Sequence, residues 1–518
     1  MTWFGDPDVI LSISLCLLLL LLVLIKVFYK LWWIPIRVQN RMTSQGIKGP
    51  SYRFIHGNNK EVASMRKEAM SRPKSLSHDV FSIVLPLMHS WTKIYGKNFL
   101  YWYGHQPRLV VTETELCKEI LMNKNGAYQK SKLLGGVKKL LGDGLATTND
   151  GEKWSKLRKL ANHAFNGESL KSMHSEMIAS TETMLERWKI HEGEEVEVFE
   201  EFRLLTSEVI SRTAFGSSYV EGKNIFDMLL KSSALTFSSS FKPGFPGISK
   251  FVKSSSEIEF QKLEKGIRDS LMEIVRRRER NPINREANKF GSDFLGQLLR
   301  AHHDTNDNQR ISMEDLVDEC KTFYLAGHES TGTMLAWTVF LLALHPEWQE
   351  KARKEVQQFF GKRTPDPNGI SNLKTMTMIV NESLRLYPPV LSVVNRKVDK
   401  ETRLGRLVLP AKLHLVIPIS PLHYDPQLWG QDVQLFKPER FSEGVAKATN
   451  DNIAAFLPFG MGPRVCAGSN FATTEAKIAL SMILQRYTFT LSPTYTHSPS
   501  AFLTVRPQHG VQIMLHAL

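Results

Sequence analysis

Cys466 stands in Phe459-Gly460-Met461-Gly462-Pro463-Arg464-Val465-Cys466-Ala467-Gly468, the stretch of this chain best suited to chemistry. Apolar spacing predicts a helix over about 470–486, which puts the cysteine just before a helix N-terminus. Free backbone N–H groups and the helix dipole favour a thiolate there. Gly462 and Gly468 let the backbone come close to the sulfur and to whatever it binds. Arg464 adds a positive charge two residues away. The plain alternative is a buried structural cysteine, the usual fate of an unpaired one.

A second candidate is Ala326-Gly327-His328-Glu329-Ser330-Thr331, in the middle of a helix predicted over 313–344. A mid-helix glycine costs about 1 kcal/mol against alanine and so wants a reason. A serine there can bond back to an earlier carbonyl and bend the helix, opening a groove. An acid and an alcohol side by side can relay protons. Three weaker patterns flank these. Trp154 and Arg158 are four apart on one predicted helix, and an Arg fork suits a carboxylate. Glu382 and Arg385 share a helix face, and Pro438-Glu439-Arg440-Phe441 follows downstream.

Taken in order, W-x-x-x-R, A-G-x-E-S-T, E-x-x-R, P-E-R-F and F-x-x-G-x-R-x-C-x-G resemble the motifs of the cytochrome P-450 superfamily, over residues 51–518. The Trp-Trp-x-Pro start, His345-Pro-Glu-Trp-Gln and Pro507-Gln-His-Gly510 are similar to plant microsomal members. Their clan includes the brassinosteroid-inactivating hydroxylases and secologanin synthase. The resemblance implies haem b, with Cys466 as the axial iron ligand. Phe459, Arg464, Gly468 and Ala326 would lie at the haem, with Trp154, Arg158 and Arg396 as its propionate partners. Glu329, Ser330 and Thr331 would form the catalytic set that delivers protons to dioxygen. Ser330 replaces the family's usual threonine and keeps its hydroxyl. Glu382, Arg385 and Arg440 would form a buried structural network. Residues 390–394 and 498–503 would wall the substrate pocket, and 237–246 would line its mouth at the membrane. The family's glycine after Pro410 is Ala411 here, which leaves that turn's geometry open.

The resemblance also implies a reaction: hydroxylation or oxidation of a lipophilic molecule with O2. A terpenoid, a steroid-like hormone, a fatty acid and a xenobiotic are the candidate substrates. No flavin or nucleotide fingerprint occurs, so electrons must come from NADPH through a separate FMN/FAD reductase, with cytochrome b5 a further partner. Two other readings use the same fold: a non-oxygenating isomerase or dehydratase, and a non-catalytic haem- or lipophile-binding membrane protein. Ser330 and the membrane anchor argue against the first. Intact Cys466, Glu329 and Ser330 argue against the second.

These motifs need a scaffold. The chain has 518 residues, enough for a large core, and a net charge of +14. That balance suits an anionic membrane surface or an acidic partner protein; no recognition motif points to nucleic acid. Four cysteines without CxxC spacing exclude a zinc or disulfide framework. Residues 9–25 are almost wholly apolar, Trp32 and Trp33 read as an interfacial belt, and Lys26, Lys30, Arg37 and Arg41 follow. This predicts a single-pass endoplasmic reticulum anchor with a lumenal N-terminus and a cytoplasmic body. Residues 1–31 would be the anchor, 32–50 a hinge broken at Pro35 and at Gly49-Pro50, and 51–518 the catalytic domain. The expected fold is mainly α with small β-sheets (α+β), in the cytochrome P-450 arrangement. Helices are expected over 78–96, 173–190, 198–215, 257–279 and 373–387, with a long loop over 122–151.

Overall fold

The computed structural model describes residues 7–71, 76–131, 135–149, 151–217, 219–239, 255–280 and 290–518. Its first element is one continuous helical rod. Helix α1 (Pro7–Phe28) passes through a π-turn (Tyr29–Trp33) into α2 (Ile34–Thr43). The rod is long and apolar enough to cross a membrane. The break expected at Pro35 does not occur. Pro35 sits in the first turn of α2, and the rod continues through it at the loss of one ladder bond. The loss leaves the Leu31 carbonyl without its usual donor four residues on. The Tyr52 hydroxyl supplies that bond at 2.5 Å. Tyr52 in turn meets Trp102 edge-on at 4.9 Å, so the rod is joined to the body.

Six further helices carry the motifs or pack beside them: α3 (Glu152–Ala164), α4 (Gly167–Trp188), α5 (Val198–Phe215), α6 (Met313–Leu344), α7 (Lys374–Leu386) and α8 (Ser469–Arg486). Helix α6 is apolar on most faces, so it runs buried through the centre. It starts at a capping box in which Ser312 Oγ accepts from the Asp315 N–H, and Asp315 accepts from the Ser312 N–H. It stops at Leu344 because Pro346 pushes His345 out of the helical region. The helix expected over 78–96 is split in two, Phe81–Val84 and Pro86–Tyr95, since Pro86 forces Leu85 to an extended φ of −132°.

Sheet strands are β1 (Phe99–Tyr103), β2 (Gln106–Val110), β3 (Tyr128–Lys130), β4 (Ser392–Val398) and β5 (His414–Pro418), in the order β1-β2-β5-β4-β3. Only β2 and β5 run parallel within it. The loop expected over 122–151 thus contains β3 and a helix, Gly135–Leu141. Edge pairing with β4 gives this polar run backbone partners that its composition does not advertise. The turn before β5 places Lys412, not Ala411, at positive φ (69°), so Ala411 is unstrained. A hairpin of β6 (Pro499–Ala501) and β7 (Val505–Pro507) closes the C-terminal region. The expected membrane stretch 237–246 lies outside the described residues, save the backbone end of the helix Tyr219–Ser239. The fold class is mainly α with small sheets, as the sequence implied.

Candidate active site

Three motif-bearing helices meet at one aromatic side chain. Phe165, directly after α3, stacks on Phe323 of α6 at 5.3 Å and meets Phe471 of α8 edge-on at 5.5 Å. This contact draws the Trp154 helix, the acid helix and the cysteine helix together.

The cysteine loop is tied by its own backbone. The Cys466 N–H donates to the Phe459 carbonyl at 2.9 Å, and Val465 to Gly462 at 3.0 Å. Gly462 has a φ of 76°, and a Cβ there would stand 2.2 Å from the Leu121 carbonyl oxygen, so only glycine fits. Gly468 is the N-cap of α8. Burial raises the Cys466 pKa, while the Gly468 N–H and the Arg158 charge oppose that rise. Cys466 nonetheless has free surface. That surface lies two residues from the open side of Gly468. A Cβ on Gly468 would meet no atom within 4 Å.

Helix α6 has a matching gap. Its flanking residues are buried, but Ala326 is exposed and Gly327 and Ser330 are half-buried. The Ser330 hydroxyl donates back to the Ala326 carbonyl at 2.7 Å, as expected of a helical alcohol. Gly327 has a packing reason as well. A Cβ there would stand 2.8 Å from two carbons of Ile210 on α5. Glu329 and Thr331 are each 2% exposed and do not share Ser330's open face. Glu329 Oε1 accepts from Thr504 Oγ1 at 2.9 Å, and its Oε2 has no hydrogen-bond partner among the described residues.

Trp154 and Arg158 both turn to the cysteine loop, though not to each other. Arg158 Nη1 donates to the Val465 carbonyl. The Arg464 guanidinium lies over the Trp154 ring at 4.7 Å and donates to the Thr148 carbonyl at 3.0 Å. Arg396 is buried on β4, between Lys130 and Leu415 in the sheet register.

The network Glu382–Arg385–Arg440 is assembled. Arg385 Nε and Nη2 donate to the two Glu382 oxygens, each at 2.7 Å. Its Nη1 reaches the His423 and Val433 carbonyls at 3.0 and 2.7 Å. Arg440 Nε stands 3.4 Å from Glu382, and its other nitrogens bind the Trp429 and Asp432 carbonyls. His423 was not singled out by the sequence as a support. Burial pushes its pKa to about 3, so the ring is neutral. Its Nε2 accepts from the Leu457 N–H at 3.0 Å, which leaves Nδ1 to donate to the Arg385 carbonyl at 3.1 Å. Leu457 lies two residues before Phe459. The network therefore reaches the cysteine loop through one histidine.

This assembly defines a class, and the comparisons agree with it. The Cytochrome P450 family model matches residues 82–514. The chain belongs to the cytochrome P450 family; it is a monooxygenase that uses haem and dioxygen. It is 56% identical over 507 residues to Cytochrome P450 CYP749A22 of Panax ginseng, covering 98% of this chain and 96% of that one. It is 38% identical to the 7-deoxyloganic acid hydroxylase of Catharanthus roseus, over 94% of this chain and 95% of the other. Among solved structures, retinoic acid bound cyanobacterial CYP120A1 matches with a TM-score of 0.73, 24% identity, 85% of this chain and 96% of its own; this likeness bears on the fold. The residues present fit haem. A cysteine with free surface, an exposed alanine with a half-buried serine on the buried helix α6, and open space beside Gly468 are surfaces that a haem would cover.

Proposed function

We propose that this chain is a single-pass, membrane-anchored monooxygenase that hydroxylates a lipophilic small molecule. Residues 1–31 are its anchor, and the catalytic unit extends from within α2, earlier than the 51–518 that the sequence suggests, because Met42 is part of the body's core. One observation carries the reading. Cys466 and Ser330 come from distant parts of the chain, yet Cys466 is exposed among half-buried residues of its loop and Ser330 is half-buried on an otherwise buried helix.

Haem, when bound, supplies the oxygen activation. Cys466 holds it through its sulfur, with the Gly468 N–H supporting the negative charge. Phe459 and Ala326 would lie against its ring. Arg158, Arg464, Trp154 and Arg396 are the groups placed to meet its carboxylates. Ser330 can turn its hydroxyl from the Ala326 carbonyl toward the open face and pass a proton there. Glu329 restores that proton, and buried Thr331 supports the helix behind them. Val390 and Leu503, 41% and 37% exposed, are apolar groups on the substrate side.

Electrons come from NADPH through a separate flavoprotein reductase, with cytochrome b5 as a second donor. Lys26, Lys30, Arg37 and Arg41 follow the span, so the body faces the cytoplasm and the N-terminus the lumen of the endoplasmic reticulum. The relative whose name includes 7-deoxyloganic acid makes that compound, with other terpenoids, the first substrates to try.

The test is spectroscopic. The reduced protein with carbon monoxide should show the red-shifted Soret band of thiolate ligation, and Cys466→Ala should abolish it. Absence of the band in the wild type, or its survival in the variant, overturns the assignment. Lipophilic compounds are then screened by the spin-state shift they cause.

A further inference from the structure

The β6–β7 hairpin ends against the acid of α6. Thr504, in its tip, is 4% exposed. Its Oγ1 donates to Glu329 Oε1 at 2.9 Å. Thr333 on α6 stands 3.2 Å from the same Thr504 oxygen, and it also reaches the Glu329 carbonyl at 2.8 Å. A hydroxyl carries one proton and two lone pairs. Thr504 spends its proton on the Glu329 carboxylate and Thr333 spends its own on the Glu329 carbonyl, so the contact between the two threonines is a close approach of two oxygens on one residue's acceptors.

The tip itself is pinned. The Trp337 indole N–H donates to the Val505 carbonyl at 2.6 Å, and the Val505 N–H donates to the Pro389 carbonyl at 2.9 Å. Thr504 is thus a fixed donor aimed at one carboxylate oxygen. The other oxygen, Oε2, has no hydrogen-bond partner among the described residues, and the nearest ring nitrogen of His328 is 3.8 Å away. Burial lowers the His328 pKa to about 4, so this ring is neutral at pH 7 and does not fix the acid. Arg506 of β7 lies within electrostatic reach of Glu329, and Arg203 of α5 within reach of both Arg506 and His328. The carboxyl is therefore held at one end and loose at the other, on the residue that precedes Ser330 in α6.

We propose that Thr504 is a positioning residue for Glu329: its hydroxyl sets the direction of the acid that serves Ser330, from a hairpin 175 residues away in sequence. The inference rests on the monooxygenase reading. With the hydroxyl gone, Glu329 loses the one side-chain donor it has among the described residues, and the proton reaches the open face late. Reducing equivalents then leave as hydrogen peroxide in place of product.

Thr504→Val removes the hydroxyl at nearly constant shape, and Thr504→Ser restores it. In holoenzyme infrared spectra, the carboxyl band lost in Glu329→Gln should move in Thr504→Val and return in Thr504→Ser. With reductase, NADPH and the compound giving the largest spin-state shift, Thr504→Val should lower product per NADPH about 5-fold, the scale of one hydrogen bond's net contribution, and raise peroxide release. Thr504→Ser should recover most of that loss. In a Glu329→Gln background, Thr504→Val should add nothing, since both act through one group. A wild-type-like band and product ratio in Thr504→Val overturns the proposal. So does an equal loss in Thr504→Ser, or an additive loss in the double variant. Should the wild type lack the carbon monoxide band, the monooxygenase reading falls, while the infrared shift still decides what Thr504 does to Glu329.

Discussion

Glu382 is wholly buried, and each of its oxygens has a donor from Arg385, with the Lys437 N–H adding a third bond at 3.0 Å. Removing one partner of such a pair strands the other charge, at a cost of about 3–5 kcal/mol. Glu382→Gln should therefore fail to accumulate as folded haem protein, or unfold at much lower urea than the wild type; an unchanged midpoint would show that the pair is dispensable. Glu319 offers a different residue-scale test. It is fully buried on α6, accepts from the Leu145 N–H, and leaves Oε2 unpaired. Burial raises its pKa to about 8, above an ordinary 4.5. Between those values the folded state holds a proton that the unfolded chain has lost. Its contribution is full below pH 4.5 and fades as pH rises through 8, with a slope on the order of 1.4 kcal/mol per pH unit. Glu319→Gln should flatten that part of the urea-midpoint profile, and superimposable profiles would remove Glu319 as the cause. Much of this scale was legible in sequence. The cysteine loop and the Glu382–Arg385 pair follow from spacing within one element. Thr504, His423 and the Arg464–Trp154 stack do not, because each joins residues whose separation only the tertiary fold can close.

At the scale of elements, the question is why α5 and α6 lie so close. Gly327 answers it, since a methyl there overlaps two carbons of Ile210 at 2.8 Å. Alanine would gain about 1 kcal/mol in helix propensity. Overpacking against a buried neighbour costs about 1–3 kcal/mol, so the net effect should be destabilising. Gly327→Ala should lower the thermal midpoint, and adding Ile210→Ala should recover part of the loss that each single change causes. If the two changes simply add, the contact is not what the glycine serves. The sequence did flag this glycine as wanting a reason, but it offered helix bending. Which helix approaches is a property of packing that periodicity on α6 alone does not encode. Proline signals were similarly half-readable. Pro86 splits a helix that the apolar spacing runs straight through, whereas Pro35, expected to break the chain, is absorbed because Tyr52 takes the carbonyl it leaves.

For the whole molecule, the rod sets where the body begins. Helix α1 is exposed along its length, so nothing in the core depends on it. Helix α2 differs. Met42 is 0% exposed and packs with Trp102 and Leu109, and Gln39 Oε1 accepts from the Tyr52 N–H at 2.8 Å. Two truncations separate these roles. A chain beginning at residue 32 should keep the carbon monoxide band and a near wild-type urea midpoint, while losing its detergent requirement. It should still bind anionic vesicles, given the chain's basic balance, and should leave them as salt rises, because exposed charges are screened over about 8 Å at physiological ionic strength. A chain beginning at Ser44 removes a fully buried methionine, a loss of about 2–5 kcal/mol, and should unfold markedly earlier. Equal midpoints for the two truncations would mean that α2 belongs with the anchor. Unequal ones place the border of the catalytic unit inside the helical rod, upstream of residue 44, with Tyr52 as the residue that joins membrane span to body.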